Sequence, residues 1–318
     1  MPDPSEGPIY TTGSRYRARA EAVQRRHRAE TLKVGHGKYG HFLDEEAAKD
    51  GANFVTAVAH EAARKRMADG KGVAQRTFDN MLSSQAMCFN IFGPMGVDEQ
   101  SREIAAKVLT KHVPQLARVE KIDIEYTPPS DIFGDQSGLS GVDCDVMMEF
   151  LTEDGSEGRL AIETKFVEPD FSRCGFRKDA RCPQGLELDQ ECSNCLYASK
   201  KGYLYWQRCR ESRSLKWDSV AGHACPFGTD LWQLWVNHTL AHAVAGGRRA
   251  VFAVCAPRGN SQLDAKARLD DYGRYVADPD TLAFIPVEDL ISDLEDAVPK
   301  EASWREWCDG LTGRYVIK

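Results

Sequence analysis

Asp145, Glu163 and Lys165 are the residues whose types and spacing best suit chemistry. They sit in two runs of strict alternation. In the first, Val146, Met148 and Phe150 alternate with Asp145, Met147 and Glu149; in the second, Leu160, Ile162, Thr164 and Phe166 alternate with Ala161, Glu163 and Lys165. This is the pattern of strands with one apolar face. Between them, Glu153-Asp154-Gly155-Ser156 carries an Asp-Gly turn signal. The spacing predicts a hairpin with Leu151 opposite Arg159, so that Asp145 faces Lys165 and Met147 faces Glu163. Cross-strand partners share a face, and a slip of one residue would turn the apolar set outward. Two carboxylates can hold a hard cation such as Mg²⁺ or Mn²⁺ through oxygen. Such a cation polarises a phosphate and activates water, while a lysine stabilises developing charge. Asp143 lies on the same face and competes with Asp145 as ligand; Asp145 is preferred because the strand follows it directly. The plainer reading is a solvated strand face with a Glu–Lys pair.

The flanking segments supply elements that would position these groups. Residues 14–32 read as an exposed basic helix or arm, and 52–67, 78–93 and 100–113 as helices. In the third, Met81, Leu82, Ala86, Phe89 and Phe92 point inward. Val119–Tyr126 alternates as a strand, and a Gly/Ser-rich loop over 131–141 leads to Asp145. A helix is predicted over Leu231–Val244, with Gln233 and Asn237 four apart on one face. Ala250–Ala256 reads as a buried strand and Ala283–Val287 as a shorter one, while the tail packs through Trp304, Trp307 and Tyr315. The order α–β–β–β–insert–α–β, then α and β, describes a mixed α/β sheet with helices on its faces.

Asp145, the turn and Glu163-Thr164-Lys165 resemble the core of the PD-(D/E)XK nuclease superfamily. The run DVMMEFLTEDGSEGRLAIETKFVE is similar to bacterial restriction-endonuclease-like members, as are Ser84-Gln85-Ala86, Cys88-Phe89-Asn90, Gln233-Leu234-Trp235 and Asn237-His238. The similarity runs from Leu82 to Ala256, interrupted by a cysteine-rich stretch. It implies a restriction-endonuclease-like mixed sheet flanked by helices. It also implies that Asp145 and Glu163 bind Mg²⁺ or Mn²⁺, with the Thr164 carbonyl as a further ligand, and that Lys165 assists catalysis. Gln85 falls where the first core helix of the superfamily presents a Glu or Gln to the metal; a helix-surface amide is the alternative. The strict Pro-Asp dipeptide is absent. The resulting division is an N-terminal helical and basic region over 1–75, a nuclease core over 76–168 and 229–318, and a cysteine-rich metal-binding insertion over 169–228.

Six of the ten cysteines, Cys174, Cys182, Cys192, Cys195, Cys209 and Cys225, fall within 52 positions, spaced C-x7-C-x9-C-x2-C-x13-C-x15-C. The segment is rich in Gly, Pro and charge and cannot build a core alone, so a metal is its expected staple. Only Cys192 and Cys195 form a C-x2-C knuckle. The expected ligands are therefore four of the six, as Cys174, Cys182, Cys192 and Cys195, or as the knuckle with two of Cys174, Cys182, Cys209 and Cys225; His223 is a further candidate. Zn²⁺ and a [4Fe–4S] cluster both suit four thiolates.

The chain has 318 residues, 42% hydrophobic and 28% charged, with a formal net charge of −7. That is a soluble globular composition, and it argues against a nonspecific DNA coat. No apolar stretch or signal pattern calls for a membrane, and a cytoplasmic location is expected. Basic residues cluster over 15–28 and over 173–216, the latter interleaved with Tyr203, Tyr205, Trp206 and Trp217. Lys200, Lys201, Arg208, Gln233 and Asn237 are the candidates for gripping DNA. The leading expectation is a Mg²⁺-dependent DNA endonuclease of restriction or defence type, with room for a homodimer. A non-catalytic nucleic-acid-binding protein on a degenerate nuclease fold is the alternative, and a redox protein built on the cysteines the third reading.

Overall fold

The computed structural model describes residues 4–10, 13–70, 72–134, 142–179, 182 and 186–317. Most of the predicted 131–141 loop lies outside the described residues. The chain opens with helix α1 (Arg15–Arg26), followed by α2 (Ala57–Ala68), α3 (Ser84–Phe92) and α4 (Glu99–Leu109). Strands β1 (Arg118–Tyr126), β2 (Cys144–Leu151) and β3 (Glu157–Thr164) come next. The cysteine-rich segment then intervenes, carrying the short helix α5 (Tyr205–Ser212). The chain resumes with α6 (Trp232–Ala245), β4 (Arg249–Ala256), α7 (Ala265–Gly273), β5 (Leu282–Pro286), α8 (Val287–Ala297) and α9 (Ala302–Tyr315).

The five strands form one sheet in sequence order, β1-β2-β3-β4-β5. The first three are an antiparallel meander, and β4 and β5 add in parallel. This is the expected mixed sheet. An antiparallel pair can close through a tight turn, as β2 and β3 do, whereas the parallel part needs a crossover, which the cysteine segment and α6 supply.

Both faces of the sheet are covered, a departure from the half-solvated hairpin expected above. Val146, Met148, Phe150, Leu160 and Ile162 pack with Val251 and Ala253 under α3, α4, α8 and α9. On the other face, Met147 and Ala161 pack with Phe252 and Val254 under α6 and the cysteine segment. The near-continuous apolar run of β4 follows from this double burial. Helix α6 is correspondingly buried along most of its length.

Helix α1 is not the exposed arm that its charge suggested. Tyr16 and Ala20 enter the main core. Arg25 is buried and donates to the Glu6 and Gly7 carbonyls, and Arg28 to those of Gly40 and Ser5. Gln24 and Arg314 of α9 bond each other, and Arg314 also reaches Asn53. These cations are spent on carbonyl oxygens, so two of the six arginines of this segment are unavailable to a polyanion. Among the described residues, no helix is long and apolar enough to cross a membrane.

Candidate active site

The hairpin forms, but its register differs by two residues from the expected one. Leu151 pairs with Glu157, Glu149 with Arg159 and Val146 with Ile162. The cause is a tight turn. Thr152 N–H donates to the Ser156 carbonyl and Gly155 N–H to that of Thr152; Asp154 accepts from Ser156 N–H at 3.0 Å. Gly155 takes a φ of 81°, where a side chain would be strained. Pairing therefore begins at Glu157 rather than Arg159. An even shift preserves which side chains share a face. One step beyond the paired segment, Asp145 stands opposite Glu163 rather than Lys165.

The same counting on the other side brings in a residue that the sequence reading missed. Ile124 pairs with Val146 and Tyr126 with Cys144, so Glu125 falls opposite Asp145. Glu125 has a φ of 54°, which breaks the alternation of β1 at this point. Three carboxylates, Glu125, Asp145 and Glu163, thus lie in a row across three adjacent strands. Glu125 and Glu163 are only 6% and 3% exposed. Like charges directly opposite one another repel, and burial adds to the cost. Burial and then Asp145 push the carboxyl of Glu163 up to about 7 and that of Glu125 to about 9. Burial also raises Asp145, against the pull of Lys165 and of its bonds from Thr164.

Each carboxylate is held differently. Asp145 Oδ2 accepts from both the N–H and the hydroxyl of Thr164, each at 2.6 Å. Glu163 Oε1 accepts from Lys165 Nζ and from Gln233 Nε2, each at 2.7 Å, and its Oε2 from Asn237 Nδ2 at 2.7 Å. Glu125 touches Gln85, yet its buried Oε1 has no hydrogen-bond partner. Burial favours a neutral Lys165, but Glu163, Glu168 and Asp145 outweigh it and keep the amine protonated. Glu168 is a second acid that the sequence reading overlooked. It accepts from the Ser84 hydroxyl at 2.5 Å and from Phe166 N–H at 2.7 Å.

The other predicted site residues fall as follows. Asp143 is exposed, whereas Asp145 is bonded into the row. Gln85 is at the row's edge: its amide donates to the Gly72 carbonyl at 2.9 Å, accepts from Ala74 N–H at 3.1 Å and reaches Glu125 rather than Asp145 or Glu163. Gln233 and Asn237 share the face of α6 that meets Glu163. Their amide N–H groups are committed to its carboxylate, and Gln233 Oε1 accepts from Ser172 N–H, so these side chains brace the site rather than reach outward. Arg208 likewise turns inward, to the Ile132 and Asp131 carbonyls and to Glu211. Lys200 and Lys201 are exposed, with Lys200 over the Phe176 ring.

All ten cysteines are free thiols. Among the described residues, no three His, Cys, Asp or Glu side chains are gathered closely enough to hold a metal ion as they stand. Of the predicted knuckle, Cys195 lines a small pocket and Cys192 is fully buried without lining it; both belong to the second core, with Cys209. A cavity of about 650 Å³ lies near α2 and is lined by residues such as Asp44, His60 and Asp79, none of them from the carboxylate row.

The donors in the row are all oxygens, one of them an unpartnered buried carboxylate atom, and the charge is uncompensated except by Lys165. Oxygen donors of this kind are the class that a hard divalent cation takes, although the three carboxylates are not drawn together around one point. No curated protein and no solved structure matches the chain. A family model does, over residues 11–185, which take in Gln85, Glu125, Asp145, Glu163, Thr164 and Lys165. The match covers more than half of the chain, and on it this protein belongs to the PD-(D/E)XK nuclease superfamily.

Proposed function

We propose that this protein is a Mg²⁺- or Mn²⁺-dependent endonuclease acting on DNA, of restriction or defence type. The observation that carries the reading is the buried row Glu125–Asp145–Glu163 with Lys165 beside it, inside the segment that matches the nuclease family. Asp145, Glu163 and the Thr164 carbonyl would hold the metal, and Glu125 adds a carboxylate that the row otherwise leaves uncompensated. When bound, the metal supplies Lewis acidity at a phosphate oxygen and a more acidic water.

The chain's own residues do the rest. Lys165 keeps its proton and offers a fixed positive charge where negative charge builds on the phosphate. Gln233 and Asn237 hold the Glu163 carboxylate in one orientation. Thr164 does the same for Asp145 through its N–H and hydroxyl. Lys200 and Lys201 are suited to phosphate contacts, and Zn²⁺ or an iron–sulfur centre is the proposed staple of the cysteine segment. The preference for DNA and for a defence role rests on the restriction-endonuclease-like wording around the hairpin. Supercoiled plasmid incubated with Mg²⁺ should be nicked or linearised by the wild type and left intact by Glu163→Ala. Cleavage at wild-type rate by Glu163→Ala would sink this proposal.

A further inference from the structure

Four cysteines that are distant in sequence line one small closed pocket: Cys174, Cys182, Cys195 and Cys225. Local structure brings them there. Asp189 accepts from the N–H groups of Glu191, Ser193 and Asn194, and so shapes the turn that presents Cys195. Cys192, in the same turn, takes a φ of 53° and is fully buried without lining the pocket. Cys225 arrives by a different route. Leu188 N–H bonds the His223 carbonyl and Cys225 N–H that of Leu186, which closes the far end of the segment onto its middle.

A second, independent feature lies in the same pocket. Trp206 and Trp232 line it, and their buried indole N–H groups have no hydrogen-bond partner. Trp206 is only 3% exposed. Buried donors are nearly always satisfied, and a cluster of thiolates or sulfides is a ready acceptor for both. The wall is otherwise mostly aromatic and apolar, with Arg177 at it donating to the Cys174 carbonyl. The thiols ring the space rather than meet at a point, and they form no disulfide.

The geometry points to a metal centre bound by four thiolates from Cys174, Cys182, Cys195 and Cys225, with Cys192 and Cys209 outside it. Loading deprotonates the four thiols and releases four protons to solvent. The metal comes from outside, as Zn²⁺ or as iron with inorganic sulfide. The reading stands apart from the proposed nuclease activity, because it concerns a different set of side chains.

The test is metal and sulfide analysis of the full-length protein purified without air, paired with alkylation mapping. A zinc site should give about one zinc per chain; a cluster should give a brown protein with about four irons and matching acid-labile sulfide. In either case alkylation should spare Cys174, Cys182, Cys195 and Cys225 until a chelator removes the metal, and Cys192 should not change on chelation. Cys225→Ser should lower the metal content, while Cys192→Ser should keep it. A metal-free wild type overturns the inference, as does a chelator-dependent footprint that falls on Cys192 and Cys209. Because mapping uses the wild type, a misfolded variant leaves the test intact.

Discussion

The carboxylate row and the thiol pocket flank one helix and are built on opposite principles. The row is a product of strand register. Glu125, Asp145 and Glu163 come together because three consecutive strands pair in order as an antiparallel meander. The pocket is a product of loop closure, in which Cys174 and Cys225 meet only after the whole segment has folded back. On α6, Gln233 and Asn237 turn toward the row, while Trp232 and Trp235 turn toward the pocket, nearly opposite in helical angle. The first region concentrates buried charge and the second buried thiols, and each is held by side chains from the same helix.

The comparison is broken most directly at the row. Asp145→Ala or Glu163→Ala should lower plasmid cleavage by at least about 10²–10³-fold while circular dichroism stays that of the wild type. Retained activity would mean that the row is structural and that the chemistry lies elsewhere.

A smaller effect tests the bridge between the two regions. Asn237→Ala removes a donor from Glu163 and should cost about 10–100-fold in cleavage. Donors to a carboxylate hold its pKa down, so the acid limb of the pH–rate profile should also move to higher pH. A uniform loss with an unmoved profile would reduce Asn237 to general packing.

The row can also be separated from the pocket by pH. Glu125 and Glu163 sit at about 9 and about 7, above ordinary carboxylates, so the folded protein holds more protons than the unfolded one between those values and the usual range. Stability in the presence of chelator is therefore lost as pH rises from the ordinary carboxylate range, near 4.5, up to about 7 for Glu163 and up to about 9 for Glu125. Thermal melts from pH 6 to pH 9 should show a falling Tm that Mg²⁺ restores. Glu125→Gln should flatten the curve, and a curve of unchanged slope in that variant would remove Glu125 from the row. The smallest effect belongs to the rim: Lys201→Ala should weaken DNA binding modestly and reduce the salt slope by about one.

What was legible in the sequence divides along the same line. Strand periodicity exposed Asp145, Glu163 and Lys165, and an even register error left their common face intact. Glu125 was hidden because it alternates with Ile124 and Tyr126 just as the more exposed Lys121 and Asp123 alternate with Ile122, so the pattern does not single out the one acid that is buried. Gln233 and Asn237 were found by their spacing, but their partner was not, since side-chain direction on a helix buried on two sides cannot be read from period alone. Arg25, Arg28 and Arg208 looked like a polyanion surface, and carbonyl oxygens absorbed them instead. Among the cysteines, the C-x2-C spacing suggested two ligands on one knuckle. Cys192 takes a positive φ and only Cys195 lines the pocket, and no local pattern announces such a turn.

Helix α6 also gives the molecule an order of assembly. The meander can pair from neighbouring stretches of chain soon after synthesis. The donors that fix Glu163 arrive only after the cysteine segment has folded and α6 has docked. A nascent chain therefore carries its three acids before it carries the means to aim them. For the nuclease activity proposed above, that delay would withhold an aimed site from half-made molecules.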